Sequence, residues 1–300
     1  MNGFSLDAIA GSDGRFAVLA MDQRATLRRM LAAAGQPSED AELSAFKVDI
    51  VRALAPFSSG VLLDADYGVG PVRAAGAMPA GVGLLVAAEP VEKDQWNGEP
   101  RAMIDPERGA EYVVRNHGDA LKFLVQWRPD RPHRPGDPDL AGEALGVIRA
   151  VVADCRQAGI PSVIEPLVAR LPDEPPLSEG AMGELVISSA AQMAGEQPDL
   201  LKLEWPGSAE GCRRVTDALG AVPWALLSAG VGFDDFGERV RIALDNGASG
   251  FIAGRAIWGE AVTLVGDARV AFLEQTAVPR LAALRDLLGE HGRSWREAAA

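Results

Sequence analysis

Short apolar runs recur along the chain, separated by longer stretches in which apolar positions return every three or four residues. The runs predict strands at Phe16–Met21, Gly60–Asp64, Leu84–Ala88, Ala120–Trp127, Pro161–Glu165, Leu200–Trp205, Pro223–Ser228 and Ser249–Ala253. Segments such as FAVLAM and ALLS are apolar on both faces, as strands of a covered parallel sheet must be. Between them, Glu42–Leu54 places Leu43, Phe46, Ile50, Val51 and Leu54 on one side of a helix. Leu140–Ala158 and Gly180–Ala194 read alike, and Phe236–Asn246 ends at Gly247, a C-terminal cap. Asp66–Gly83 is rich in Gly and Pro, so a regular helix there is short or absent.

Strands alternating with helices admit a closed (β/α)8 barrel or an open doubly wound sheet. Eight units, and no glycine-rich dinucleotide fingerprint after the first strand, favour a TIM barrel forming one domain over residues 1–300. Two proline-rich segments, Arg128–Asp139 and Val168–Ser178, follow the fourth and fifth strands. They belong at the carboxyl end of the barrel, where such enzymes carry their active sites, either as site loops or as solvated connectors.

Composition narrows the function. A net charge of −13 without a basic run makes nucleic acid an unsuitable partner, since a phosphate backbone needs a basic footprint. Two cysteines, Cys155 and Cys212, are too few for a disulfide framework. The first residues, MNGFSLDAIAGSDGR, lack a basic segment followed by an apolar one, and no apolar run approaches the ~20 residues of a membrane span. A cytoplasmic protein with no membrane partner is expected; homo-oligomerisation is left open.

The basic residues are 25 arginines and only four lysines, Lys47, Lys93, Lys122 and Lys202. Only lysine can lose its proton and act as a nucleophilic amine. Lys93 sits in a polar loop and reads as solvated surface. Lys47 lies in a helix, where it is expected to snorkel or pair with an acid. Lys122 and Lys202 each interrupt an apolar strand, ALKFLVQW and DLLKLEW. Strand alternation puts Lys122, Leu124 and Gln126 on one face, and Leu200, Lys202 and Glu204 on one face. The opposite faces are wholly apolar and suit packing under helices, so both lysines point into the barrel. Burial and a second ammonium nearby disfavour a charged amine, which is how a lysine becomes a carbonyl nucleophile. A structural ion pair is the alternative for either lysine. Glu165, in SVIEP, is a carboxylate in an apolar run that needs a partner; it reads as a proton shuttle or as a salt bridge neutralising one of the lysines.

The seventh strand runs into LLSAGV and the eighth into FIAGRAIW. Small residues before a helix let backbone N–H groups approach an anion, and barrels commonly bind phosphate at these two loops. Ser228, Ala229 and Gly230, with Gly254 and Arg255, are therefore the expected phosphate cradle. At the ends of the first and second strands, Asp22, Gln23 and Asp64 are placed to bind sugar hydroxyls or to form barrel-capping ion pairs. Arg24, Arg128 and Arg170 are candidate cations for the distal end of a substrate.

Taken in order, MDQRATLRRM, LLDADYG, ALKFLVQW, IEP, LKLEWP, LSAGV and AGRAIW resemble the class I aldolases that include tagatose-bisphosphate and sulfofructosephosphate aldolases. The resemblance spans about Phe16 to Trp258. It implies that Lys202 is the Schiff-base lysine, Lys122 the second strand lysine and Glu165 the acid/base glutamate. It also implies that Ser228, Gly230, Gly254 and Arg255 hold phosphate, while Asp22 and Gln23 reach the substrate. LLDADYG and KFLVQW lean towards the tagatose-bisphosphate branch, IEPLV and GFIAGRAIW towards the sulfosugar branch, and the Arg128–Asp139 insert fits neither.

The expected reaction is cleavage of a ketose 1-phosphate to dihydroxyacetone phosphate and a three-carbon aldehyde. Lys202 attacks the C2 ketone, Glu165 assists loss of water, and Lys122 keeps the local potential positive. No cofactor is required. His117, His133 and His291 are not spaced as zinc ligands, so no metal is expected. The alternatives are a transaldolase using the same Schiff base, a phosphosugar isomerase, and a barrel that binds sugar phosphates without turnover.

Overall fold

A computed structural model describes residues 5–92 and 94–300; Lys93 and the first four residues lie outside it. Eight parallel strands close into a barrel: β1 (Phe16–Met21), β2 (Gly60–Asp64), β3 (Gly83–Ala87), β6 (Ala120–Trp127), β7 (Ser162–Val168), β8 (Leu200–Leu203), β9 (Trp224–Leu227) and β10 (Gly250–Ala253). β10 pairs with β1, so no edge is left open. The single-domain (β/α)8 TIM barrel expected from the alternation is the fold.

Helices return the chain between strands. They include α1 (Ala25–Ala33), α2 (Asp40–Leu54), the six-residue α3 (Val69–Ala74) and α4 (Ala110–Arg115). Then follow α5 (Leu140–Ala158), α6 (Glu179–Ala194), α7 (Ala209–Leu219), α8 (Phe233–Asp245) and α9 (Arg255–Trp258). Gly247 takes φ +100°, the left-handed backbone that releases the chain after α8. No helix of the described residues is long and apolar enough to cross a membrane.

The pleat separates two cores. Outward residues such as Leu121, Phe123, Val125, Leu201 and Leu203 pack under the helices. Inside, Phe16, Val18, Leu62, Leu85, Val163, Leu200 and Ile252 fill the lower barrel, and Leu6 and Ile9 plug its amino end. The upper interior holds charged groups instead, so the site sits at the carboxyl ends of the strands.

A two-stranded hairpin between β3 and β6 was not anticipated. β4 (Asp94–Trp96) and β5 (Glu99–Arg101) are antiparallel, joined by Asn97-Gly98 with φ of 48° and 82°. Two left-handed residues in a two-residue loop match the hairpin preference for Asn-Gly, a signal present in DQWNGEPR. Arg131 ties the hairpin to the loop after β6, bonding Glu99 at 2.6 and 3.1 Å and lying over Trp96 at 5.2 Å.

Lys47 pairs with an acid, as one reading of the helix expected, but it does not snorkel. It is fully buried against Asp64, and its Nζ also donates to the carbonyls of Met21 at 2.8 Å and Gln23 at 2.9 Å. Burial pulls this amine below the ordinary lysine value, with Asp64 opposing. The pair locks the turn after β1 to β2. Lys47→Met is expected to cost about 3–5 kcal/mol of unfolding free energy, because it strands a buried carboxylate. Adding Asp64→Leu should recover most of that loss in urea titrations, since the uncompensated charge is then gone.

Candidate active site

Strand register brings the charged residues together. Val163 pairs with Leu200 and Ile164 with Leu201, so Glu165 and Lys202 come next, side by side. Lys122 pairs with Val163, one pleat lower, and its long side chain reaches up to the same level. Glu165 consequently lies between two amines, Oε1 2.9 Å from Lys202 Nζ and Oε2 2.9 Å from Lys122 Nζ. Lys122 is fully buried and meets two further carboxylates, Asp22 at 2.8 Å and Glu89 at 3.2 Å.

Electrostatics follow from this packing. Burial alone would lower Lys122, but Asp22, Glu165 and Glu89 outweigh it and hold the amine well above its usual value. Burial would likewise raise Asp22 and Glu165, yet the lysines win: Lys122 and Lys202 bring both below the ordinary carboxylate range. Lys122 is therefore a permanent ammonium at neutral pH. Three carboxylates surround it, so the positive potential expected of it beside Lys202 is screened from three sides. Its role in the geometry is to fix Glu165 and Asp22.

Above Lys202 opens a cavity of about 250 Å³, lined by Gln23, Glu165, Leu167, Lys202, Glu204, Ser228, Ala229, Gly254 and Arg255. Ala229 and Gly230 follow one another with φ of 49° and 83°, a left-handed pair after β9. Left-handed backbone at a non-glycine residue is uncommon and clusters at functional sites. Gly230 lies against the guanidinium, since a Cβ there would stand 3.1 Å from Arg255 Cζ. A Cβ at Gly254 would collide with the Ala20 carbonyl, to which Trp258 Nε1 donates at 3.1 Å. The turns after β9 and β10 thus meet at one end of the cavity. Arg255 makes no ion pair among the described residues, which leaves its fork for an anion. The Gln23 Oε1 atom is buried with no donor among the described residues.

Several residues named from the sequence are placed elsewhere. Asp64 is spent on Lys47 and on the Tyr67 N–H at 2.7 Å, and it does not line the cavity. Arg24 is tied to Asp66 at 3.2 Å and to Glu89 at 3.4 Å. Arg128 is held bidentately by Glu174 at 2.6 and 2.8 Å and also by Asp130, while Arg170 donates to the Glu174 carbonyl. These contacts join the loops after β6 and β7. None of the three arginines lines the cavity beside Lys202. Asp22 accepts from Lys122 at 2.8 Å and does not line the cavity, and Gln23 is the member of that turn which does.

Two acids were missed. Glu89 follows β3 in AAEP, a charge after an apolar run much like that of IEP, and its Oε2 accepts the Leu124 N–H at 3.2 Å. Glu204 lies just past the end of β8, lines the same cavity as Lys202, and accepts the Val168 N–H at 2.8 Å. Burial, helped by the nearby charge of Glu165 and opposed by that hydrogen bond, pushes Glu204 up to about 7.

Tagatose 1,6-diphosphate aldolases of Listeria monocytogenes (strain HCC23) and Staphylococcus aureus (strain JH9) are each 27% identical to the chain. The first alignment covers 97% of this chain and 92% of the relative, the second 98% and 97%. Among solved structures, an archaeal fructose 1,6-bisphosphate aldolase superposes with a TM-score of 0.65 at 19% identity, covering 93% of this chain and 96% of the other. A Corynebacterium glutamicum protein gives 0.66 at 19% identity, covering 94% and 88%; at such identities the likeness is one of fold. Residues 16–260 match the DeoC/LacD aldolase family, and the chain belongs to it.

Proposed function

We propose that this aldolase cleaves a ketose 1-phosphate of the tagatose 1,6-bisphosphate type, through a Schiff base on Lys202, to dihydroxyacetone phosphate and a three-carbon aldehyde. The observation that carries the reading is the Glu165 carboxylate, 2.9 Å from both Lys202 and Lys122 on the floor of the cavity. A carboxylate in contact with the amine can take its proton on attack at C2 and deliver one to the departing hydroxyl of the carbinolamine. The iminium then accepts the electron pair of the C3–C4 bond. Hydrolysis frees the amine. The names of the curated relatives support the substrate class.

The C1 phosphate is assigned to the Ser228–Gly230 turn and Arg255, which binds the substrate remotely and holds C2 against the amine. Gln23 Oε1 supplies a buried acceptor for a sugar hydroxyl. Arg255→Ala is expected to raise KM by a factor on the order of 10–100, the worth of a charge-assisted hydrogen bond, with kcat nearly unchanged. An equal fall in kcat with KM constant would remove Arg255 from the phosphate site.

The deciding experiment presents tagatose, fructose and sulfofructose phosphates to the enzyme, with and without borohydride. Aldehyde release and a reduced adduct on Lys202 are expected with at least one of them. A phosphosugar isomerase would interconvert substrates and leave no adduct. A transaldolase would require an aldehyde acceptor for turnover.

A further inference from the structure

Retro-aldol cleavage needs a group that removes the C4 hydroxyl proton and later protonates C3. Glu165 is already engaged at C2, where each of its oxygens stands 2.9 Å from a lysine amine and serves carbinolamine formation and dehydration. A second carboxylate occupies the same cavity without such partners. Glu204 follows Lys202 by two residues, one position past the end of β8, and lines the cavity with Lys202, Glu165, Ser228 and Arg255. Among the described residues it forms no ion pair, and its one described hydrogen bond is from the Val168 N–H to Oε2 at 2.8 Å. One oxygen is thereby fixed and the other remains for a substrate proton.

We propose that Glu204 is the proton carrier of carbon–carbon cleavage in this enzyme, a catalytic assignment that rests on the aldolase reading of Lys202. In the cleavage step Glu204 takes the C4 hydroxyl proton. The O–H pair becomes the aldehyde C=O, the C3–C4 bond breaks, and its electrons form the C2–C3 double bond of the enamine as the iminium nitrogen is neutralised. After the aldehyde leaves, the same proton passes from Glu204 to C3, the nitrogen lone pair re-forms the iminium, and water hydrolyses it. One proton is taken and one returned, with no outside reagent.

The electrostatics of the cavity agree. Burial and the facing charge of Glu165 bring Glu204 to about 7, where a carboxyl group both accepts and releases protons at neutral pH. The other charged groups lining this cavity are Lys202 on β8 and Arg255 from the turn after β10.

The test follows the half-reaction of dihydroxyacetone phosphate in D2O, with deuterium entry at C3 read by NMR and borohydride trapping read on the same samples. Glu204→Gln keeps an acceptor for the Val168 N–H. It is expected to trap the Lys202 adduct within a few-fold of the parent while C3 exchange and cleavage fall 10²–10⁴-fold, the usual contribution of a general acid/base. The pH profile of C3 exchange in the parent should bend near 7, and that limb should vanish in the variant. Glu204→Asp should restore part of the exchange. Exchange in Glu204→Gln within threefold of the parent, or parallel loss of adduct and exchange in both variants, overturns the assignment. A parent enzyme that traps no adduct with dihydroxyacetone phosphate overturns the Schiff-base reading itself, a separate result.

Discussion

Lys202→Met is expected to leave a folded protein that traps no substrate under borohydride and cleaves more slowly by a factor on the order of 10⁴ or greater, as when a covalent nucleophile is deleted. The fold should survive because methionine replaces the lysine stem in a buried position, and Glu165 keeps its second ammonium, Lys122. Intact-mass analysis after reduction and a thermal melt on the same sample check both halves. Trapping that persists in the variant would move the Schiff base to another amine. Only three other lysines exist in the chain, of which Lys47 is sealed against Asp64.

Lys122→Met should be the more damaging change for stability. It leaves Asp22 buried without its ammonium, Glu89 half-buried with Arg24 alone and Glu165 with Lys202 alone, a loss of about 3–5 kcal/mol by comparison with other broken buried pairs. The sign with pH is determined by the carboxylates. Asp22 and Glu165 titrate below their ordinary values in the folded parent, so their contribution is fully present above the unfolded carboxylate range and is lost as pH falls through the folded values. The deficit of the variant should therefore be largest at neutral pH and shrink in acid, as its unpaired carboxylates take up protons. Urea unfolding at pH 7.5 and pH 4 measures this. A deficit independent of pH would show that Lys122 contributes packing and not charge. Turnover should fall as well, on the order of 10²–10⁴-fold, because Glu165 is no longer held beside the nucleophile. Lys122→Arg should not rescue it, since a planar fork cannot replace a point charge that three carboxylates approach from different sides.

The strand pattern was legible because both faces of each barrel strand are buried, so apolar runs mark strands directly. Residue contacts blurred some ends. β7 continues to Val168, beyond the expected Glu165, because the long β6 pairs with it through Trp127↔Val168. The two strand lysines and Glu165 were legible for the same reason: a charge within an apolar run has to find a partner. Glu89 escaped because it lies beyond the last paired residue of β3, where the apolar run has ended. The Asn-Gly signal of the β4–β5 hairpin was present in the letters and was outweighed by the absence of apolar alternation around it.

By itself the sequence determined the barrel, the inward direction of Lys122, Lys202 and Glu165, and the two small-residue turns that carry Arg255. Periodicity and burial are local properties, and each of these follows from them. Only the tertiary structure decided who pairs with whom. It gave Asp64 to Lys47 and not to the cavity, engaged Arg24 and Arg128 with carboxylates from other loops and Arg170 with the Glu174 carbonyl of its own loop, and left Arg255 and Glu204 facing the cavity. The reason is that an ion pair depends on where strand register and loop closure bring two side chains, often more than forty positions apart, and residue type alone carries no record of that distance.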